Sequence, residues 1–304
     1  MADAPPVFPL SPSSLPWIRR LGPGGFVAVA LATVFLLYQI VGGILTWLLF
    51  DARVTEENVQ AVRAATLVSQ GVFLLLPTLL LVRAREGNAR RLIRMRGADP
   101  RHVLMLGVAV LALQQVAQSY MALQDLIPVP PLLEELLREI RRAVEETYRL
   151  LVTAHSLPEF LFVVLVVALT PALCEELLFR GLVQGTLEIR RPGMSGPVIA
   201  GILFALFHLN PFALVPLCAL GVFFGYAVHR TGSVLPAVFA HFLNNFLACA
   251  AVYVGLDEGF LALAPGGDPP VVLLAGNALL FGGVFAWAAY LFTRATAPAR
   301  ETAP

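Results

Sequence analysis

The chain has 304 residues and a formal net charge of +1, and it is 58% hydrophobic but only 13% charged. A soluble domain is about half apolar and about a quarter charged, so the apolar excess here has to face lipid and a water-soluble globule is excluded. The 21 Lys and Arg residues are all arginines. They lie between apolar runs rather than in one patch, which leaves no nucleic-acid footprint.

The stretch Met1–Pro16 is rich in Pro, Ala and Ser. It lacks the basic start and short apolar core of a secretory signal and reads as a disordered cytoplasmic tail. A spanning helix needs about 20 mostly apolar residues. Such runs occur at Phe26–Phe50, Ala65–Val82, Val103–Leu123, Pro158–Leu187, Ser195–Leu209, Pro211–Val228, Val234–Val254 and Val271–Phe292. The fifth is short and stops at Asn210-Pro211. Between the third and fourth runs, Leu133, Leu136, Leu137, Ile140, Val144, Tyr148 and Leu151 recur at helical spacing among charged residues. That pattern predicts a helix lying on the membrane surface, apolar stripe down, as a plain connector or as a lid that guides substrate. The fold class is therefore all-α, a polytopic membrane protein with about eight transmembrane helices plus one amphipathic surface helix. The organisation reads as a tail over 1–22, N-terminal membrane helices with the amphipathic helix over 23–157, an intramembrane core over 158–254, and a last transmembrane helix with a C-terminal tail over 255–304. Cys174, Cys218 and Cys249 sit inside apolar runs without paired spacing and read as inert buried thiols.

Arginines in short loops set orientation. Arg19 and Arg20 precede the first span, seven arginines lie between Arg83 and Arg101, Arg190 and Arg191 follow the fourth span, Arg230 the sixth, and Arg294 and Arg300 the eighth, whereas the loop with Asp257, Glu258 and Asp268 is acidic. Eight spans with both termini in the cytoplasm of a prokaryotic cell satisfy these loops. The amphipathic helix, with four arginines, then falls outside and is the weakest fit.

An ionisable group inside a span costs roughly 2.5–3.5 kcal/mol at mid-depth and is a functional candidate by default. Glu175, Glu176 and Arg180 fall in the fourth run, His208 in the fifth, His241 and Asn245 in the seventh, and the first three runs carry no charge. At about 1.5 Å per residue, Glu175 lies on the order of 20 Å, His208 roughly 18 Å and His241 about 12 Å from the cytoplasmic ends of their spans, so the depths overlap. Asn245 is one turn beyond His241 on the same face. Arg180 can pair with Glu176, one turn away, leaving Glu175 to face a cavity. A carboxylate in an apolar, partly wet pocket is pushed toward the behaviour of a general base. A histidine can share its water, and His241 with Asn245 can supply oxyanion donors. No GxSxG elbow or cysteine nucleophile motif accompanies the set. His102, His155 and His229 sit near span ends, where a histidine is cheap, and Glu159 starts its span at the interface.

Glu-Glu-x-x-x-Arg at Glu175 to Arg180, Phe-x-x-x-His at Phe204 to His208 and His-x-x-x-Asn at His241 to Asn245 resemble the CPBP (Abi) family of intramembrane proteases, which includes CAAX prenyl endopeptidases and bacteriocin-processing enzymes. The resemblance covers roughly Pro158–Tyr253. It implies an eight-span helical fold and endopeptidase activity on a membrane-associated substrate, in CAAX-processing members a prenylated C-terminus. It carries the catalytic Glu onto Glu175, the water-activating His onto His208, the oxyanion pair onto His241 and Asn245, and supporting roles onto Glu176 and Arg180. The family is usually called metalloprotease, yet no His-Glu-x-x-His spacing is present. Glu175, His208 and His241 could form a three-ligand zinc site with an open position, or Glu175 and His208 could activate water with no cofactor, the reading that suits Asn245 better. A non-catalytic scaffold or immunity protein of the same family competes with the enzyme. A proton-coupled transporter also competes, though no related halves are seen. The arginine pattern further predicts a cavity opening toward the cytoplasm or sideways to its leaflet.

Overall fold

Peptide groups in hydrocarbon have no water to bond to, so apolar runs must satisfy their own backbone and do so as helices. In the computed structural model, which describes residues 18, 20–51, 54–85, 92–189, 193–256 and 270–296, this is what the runs form. The helices are α1 (Pro23–Phe50), α2 (Val59–Arg85), α3 (Pro100–Gln124), α4 (Pro131–Val152), α5 (Leu157–Glu188), α6 (Ser195–Phe207), α7 (Leu214–Thr231), α8 (Leu235–Tyr253) and α9 (Val271–Ala295). Seven of them are long and apolar enough to cross a membrane; α6, at 13 residues, is not. The protein is an all-α polytopic membrane protein. The predicted N-terminal tail, the acidic loop and the C-terminal tail lie almost wholly outside the described residues.

The helix ends cluster at two opposite faces. At one, Arg94 reaches Glu188 (Nη1 to Oε2, 2.6 Å), Val234 N–H donates to the Arg94 carbonyl, Ser233 Oγ donates to the Arg96 carbonyl, and Arg230 donates to the Thr293 carbonyl. This is the arginine-rich end. At the other, α4 is pinned across the bundle. Arg63 on α2 is fully buried, donates to the carbonyls of Leu150, Leu151 and Thr153, and pairs with Glu159 on α5 at 2.7 Å. The last carbonyls of a helix lack intrahelical donors, and here a neighbouring helix supplies them. Farther along α4, Arg141 pairs with Asp125 at 2.6 Å and stands over the Phe212 ring at 4.5 Å. Arg63 escaped the sequence reading because the second span was expected to start at Ala65; the helix begins earlier, at Val59. The predicted stripe of α4, including Leu133, Leu136, Ile140, Val144 and Tyr148, is exposed, as an interfacial helix requires.

The short α6 and α7 form a close hairpin. A Cβ on Gly201 would lie 2.4 Å from the Val222 nitrogen, and one on Gly221 would lie 2.7 Å from the Gly201 carbonyl. Only residues without side chains let two backbones approach so nearly, the usual means of joining helices in lipid. Four stretches, Leu36–Val41, Gln70–Leu75, Val164–Leu169 and Leu177–Gln184, widen to π-helix. The last two flank the Glu175-Glu176 pair.

Candidate active site

Pro171 has no N–H to donate, so carbonyls about one turn earlier on α5 lose their helical partner. Side chains from two other helices take that place. The Val166 carbonyl accepts from Gln70 Nε2 on α2 (3.5 Å), and the Val167 carbonyl accepts from Asn245 Nδ2 on α8 (3.2 Å). Thr170 Oγ1 donates to the Leu165 carbonyl at 2.7 Å. The widened turn before Glu175 is thus tied to its neighbours.

Glu176 is fully buried and accepts twice at Oε1, from Arg180 Nη1 (2.8 Å) and from His241 Nδ1 (2.9 Å). Arg180, equally buried, also donates Nη2 to the Gly221 carbonyl at 2.9 Å and lies 4.6 Å over the Phe204 ring. One turn on, Gln184 Nε2 donates to the Gly225 carbonyl at 2.9 Å. The predicted Glu176–Arg180 pairing is therefore present, and it doubles as a bridge from α5 to the hairpin.

Glu175 points elsewhere. Its Oε2 lies 3.6 Å from His208 Nε2, with the two side chains 15% and 29% exposed. His208 Nδ1 sits 2.8 Å from the Phe204 carbonyl. A carbonyl only accepts, so Nδ1 carries the proton, and in its neutral form the ring presents a lone pair at Nε2. In that form two acceptors face each other, and the Glu175 oxygen has no hydrogen-bond partner. A water donating one hydrogen to each would suit that gap.

His241 differs from expectation. Its Nδ1 is spent on Glu176, so Nε2 can donate to an oxyanion only when the ring is a cation. The ring is stacked on Phe224 at 5.5 Å and meets Phe204 edge-on at 5.8 Å, and Phe204 also contacts the His208 ring at 4.5 Å. Asn245 has one N–H committed to Val167, and its Oδ1 accepts from Asn244 at 3.1 Å, leaving one N–H to give. Among the described residues no three His, Cys, Asp or Glu side chains form a metal-holding group. His241 donates Nδ1–H to Glu176 and keeps its Nε2 lone pair, the arrangement a metal-bound histidine also adopts, so this contact does not decide between the zinc and the cofactor-free routes. The three cysteines are unpaired thiols, two of them buried.

Glu176, Arg180 and Gln184 are fully buried between the site and the arginine-rich end. His208 and Asn210–Leu214, toward the α4 end, are partly or largely exposed. A cavity of about 760 Å³ lies at that same end, lined by Arg63, Arg149, His155 and Glu159 among others, but it does not include the Glu175–His208 pair.

Residues 157–247 match the family described as type II CAAX prenyl endopeptidase Rce1-like. This segment is Rce1-like. At the family level the match supports a CAAX-type intramembrane protease. No curated protein and no solved structure gives a match. The Rce1-like segment contains Glu175, Glu176, Arg180, His208, His241 and Asn245. Phe224, stacked on His241, lies within it too and went unnoticed as an ordinary apolar residue. Gln39, Gln70 and Tyr38 lie outside it. Their signal was an uncharged polar group within an apolar run, which is weak beside a charge.

Proposed function

We propose that the protein is an endopeptidase that hydrolyses a peptide bond near the C-terminus of a membrane-associated substrate, with a CAAX-type prenylated C-terminus as the substrate class its family description favours. The observation that carries this reading is the facing of Glu175 Oε2 and His208 Nε2 across 3.6 Å. One water seated there loses a proton to the pair as its oxygen attacks the scissile carbonyl. The developing oxyanion takes the free Asn245 N–H and, when His241 is a cation, its Nε2–H. The proton held by the pair then passes to the leaving amine. Glu176 and Arg180 hold His241 and the hairpin rather than the substrate. Hydrolysis by this route requires no cofactor.

The test is terminal proteomics of membranes carrying wild type or Glu175→Gln, with the variant also used to trap substrate. Glu175 makes no hydrogen bond whose loss would unfold the chain, so the variant should insert normally and lose at least about a hundredfold in rate. Wild-type cleavage should persist under a zinc chelator. Near-normal cleavage by Glu175→Gln refutes the assignment of the base, and cleavage abolished by the chelator and restored by zinc refutes the cofactor-free route.

A further inference from the structure

We propose that Gln39 on α1 and Gln70 on α2, both outside the Rce1-like segment, are positioning residues that set the separation of His208 and Glu175. His208 is the first residue after α6 and has little to hold it but the end of that helix. The final carbonyls of a helix need donors from elsewhere, and hydrocarbon offers no water for the purpose. Phe204's carbonyl takes His208 Nδ1, Ala205's takes the His208 N–H at 3.3 Å and Leu206's takes the Leu209 N–H at 3.2 Å. Phe207's carbonyl takes Gln39 Nε2 at 2.9 Å. The peptide unit that carries His208 is thus anchored to α1.

Glu175 is held from the same side. Gln70 is 5% exposed and donates to the Val166 carbonyl in the widened turn that precedes Glu175, while its Oε1 is buried with no partner. The two glutamines lie beside a close approach of α1 and α2: a Cβ on Gly42, three residues after Gln39, would lie 2.8 Å from Ser69 Oγ, one residue before Gln70. Each glutamine therefore grips the backbone beside one member of the pair, and the α1–α2 contact fixes one grip relative to the other.

The geometric claim stands without catalysis; its effect on rate rests on the peptidase reading. Two measurements keep these apart, made on the purified full-length chain in lipid vesicles. Gln39→Leu and Gln70→Leu remove the donors while roughly keeping volume, and Gln39→Met and Gln70→Met serve if the first pair fails to accumulate. Thr46→Val is the control, since Thr46 bonds only within α1, to the Gly42 carbonyl. The first measurement is the rate of His208 acylation by diethyl pyrocarbonate, read by mass spectrometry against exposed His155. It should change several-fold in the glutamine variants and not in the control. The second is peptide cleavage, where kcat should fall about tenfold to a hundredfold with KM unchanged, the usual cost of misplacing a reacting group by about 1 Å. An unchanged His208 labelling rate in both glutamine variants overturns the proposal whether or not cleavage is observed. A wild type that cleaves nothing sinks the peptidase reading and leaves the labelling to decide this one.

Discussion

Arg180→Ala should destabilise the protein before it can inform on chemistry. The guanidinium is fully buried, bonds Glu176 at 2.8 Å and the Gly221 carbonyl at 2.9 Å, and covers the Phe204 ring at 4.6 Å. Removing one partner of a buried ion pair costs about 3–5 kcal/mol, because the other charge stays buried. His241 still bonds Glu176 at 2.9 Å, which puts that contribution near the low end. The orphaned Gly221 carbonyl adds about 1–3 kcal/mol, and the two losses overlap, so the expected total is about 4–5 kcal/mol. At about 2–4 °C per kcal/mol for a chain of this order, the melting temperature in detergent should drop by at least about 8 °C. The double variant Arg180→Met with Glu176→Gln leaves no buried charge unpaired and should recover much of the loss, as such replacements often do. Melting of Arg180→Ala within about 2 °C of wild type, together with lost cleavage, would refute this account and put Arg180 against the substrate.

Two further outcomes follow from packing and access. Gly201→Ala places a methyl where 2.4 Å separates it from backbone, so α6 and α7 must part; it should cost about 1–3 kcal/mol or more, read as a lowered melting temperature, and a variant as stable as wild type would show that the hairpin is looser than described. For access, cysteines placed at Leu209, at Leu132 on α4 and at Met194, all exposed, can be probed with a membrane-impermeant thiol reagent after the native cysteines are changed to Ser. Leu209→Cys should label from the same side as Leu132→Cys and from the side opposite to Met194→Cys. Labelling of Leu209→Cys together with Met194→Cys would restore an opening at the arginine-rich end.

What could be read from the sequence was whatever one helix determines alone. Glu176 and Arg180 are four residues apart, so their pairing needs no knowledge of neighbours. The stripe of α4 is likewise a property of its own spacing. What needed the fold was every contact made across helices. That Glu176 would claim His241 as well as Arg180 depends on where α8 lies beside α5, and it changes His241 from a ready donor into one that needs a second proton. Arg63 was lost to a span boundary set a few residues late. Gln39 and Gln70 carry no charge, so nothing in composition separates them from an amide that faces a neighbour's backbone for stability alone. The access side is likewise not a property of one helix: arginines report which helix ends are wet, while the depth of α6, a 13-residue helix, decides where a cavity can open.

The widened turns of α5 also bear on how the chain tolerates change in length. A π turn accommodates about one residue more than an α turn, and each residue advances a helix by about 100° of rotation. Deleting one residue between Val164 and Leu169 would let the widened turn close to an α turn, so the helix beyond it keeps its phase and Glu175 still faces His208. A residue inserted in the regular turn Thr170–Glu176 ahead of Glu175 has no such reserve and would rotate Glu175 by about 100° relative to the preceding part. The phase of α5, as much as the identity of its side chains, is therefore part of what this segment has to preserve, and such an insertion should be as damaging as replacing Glu175 itself, whereas the deletion should be milder.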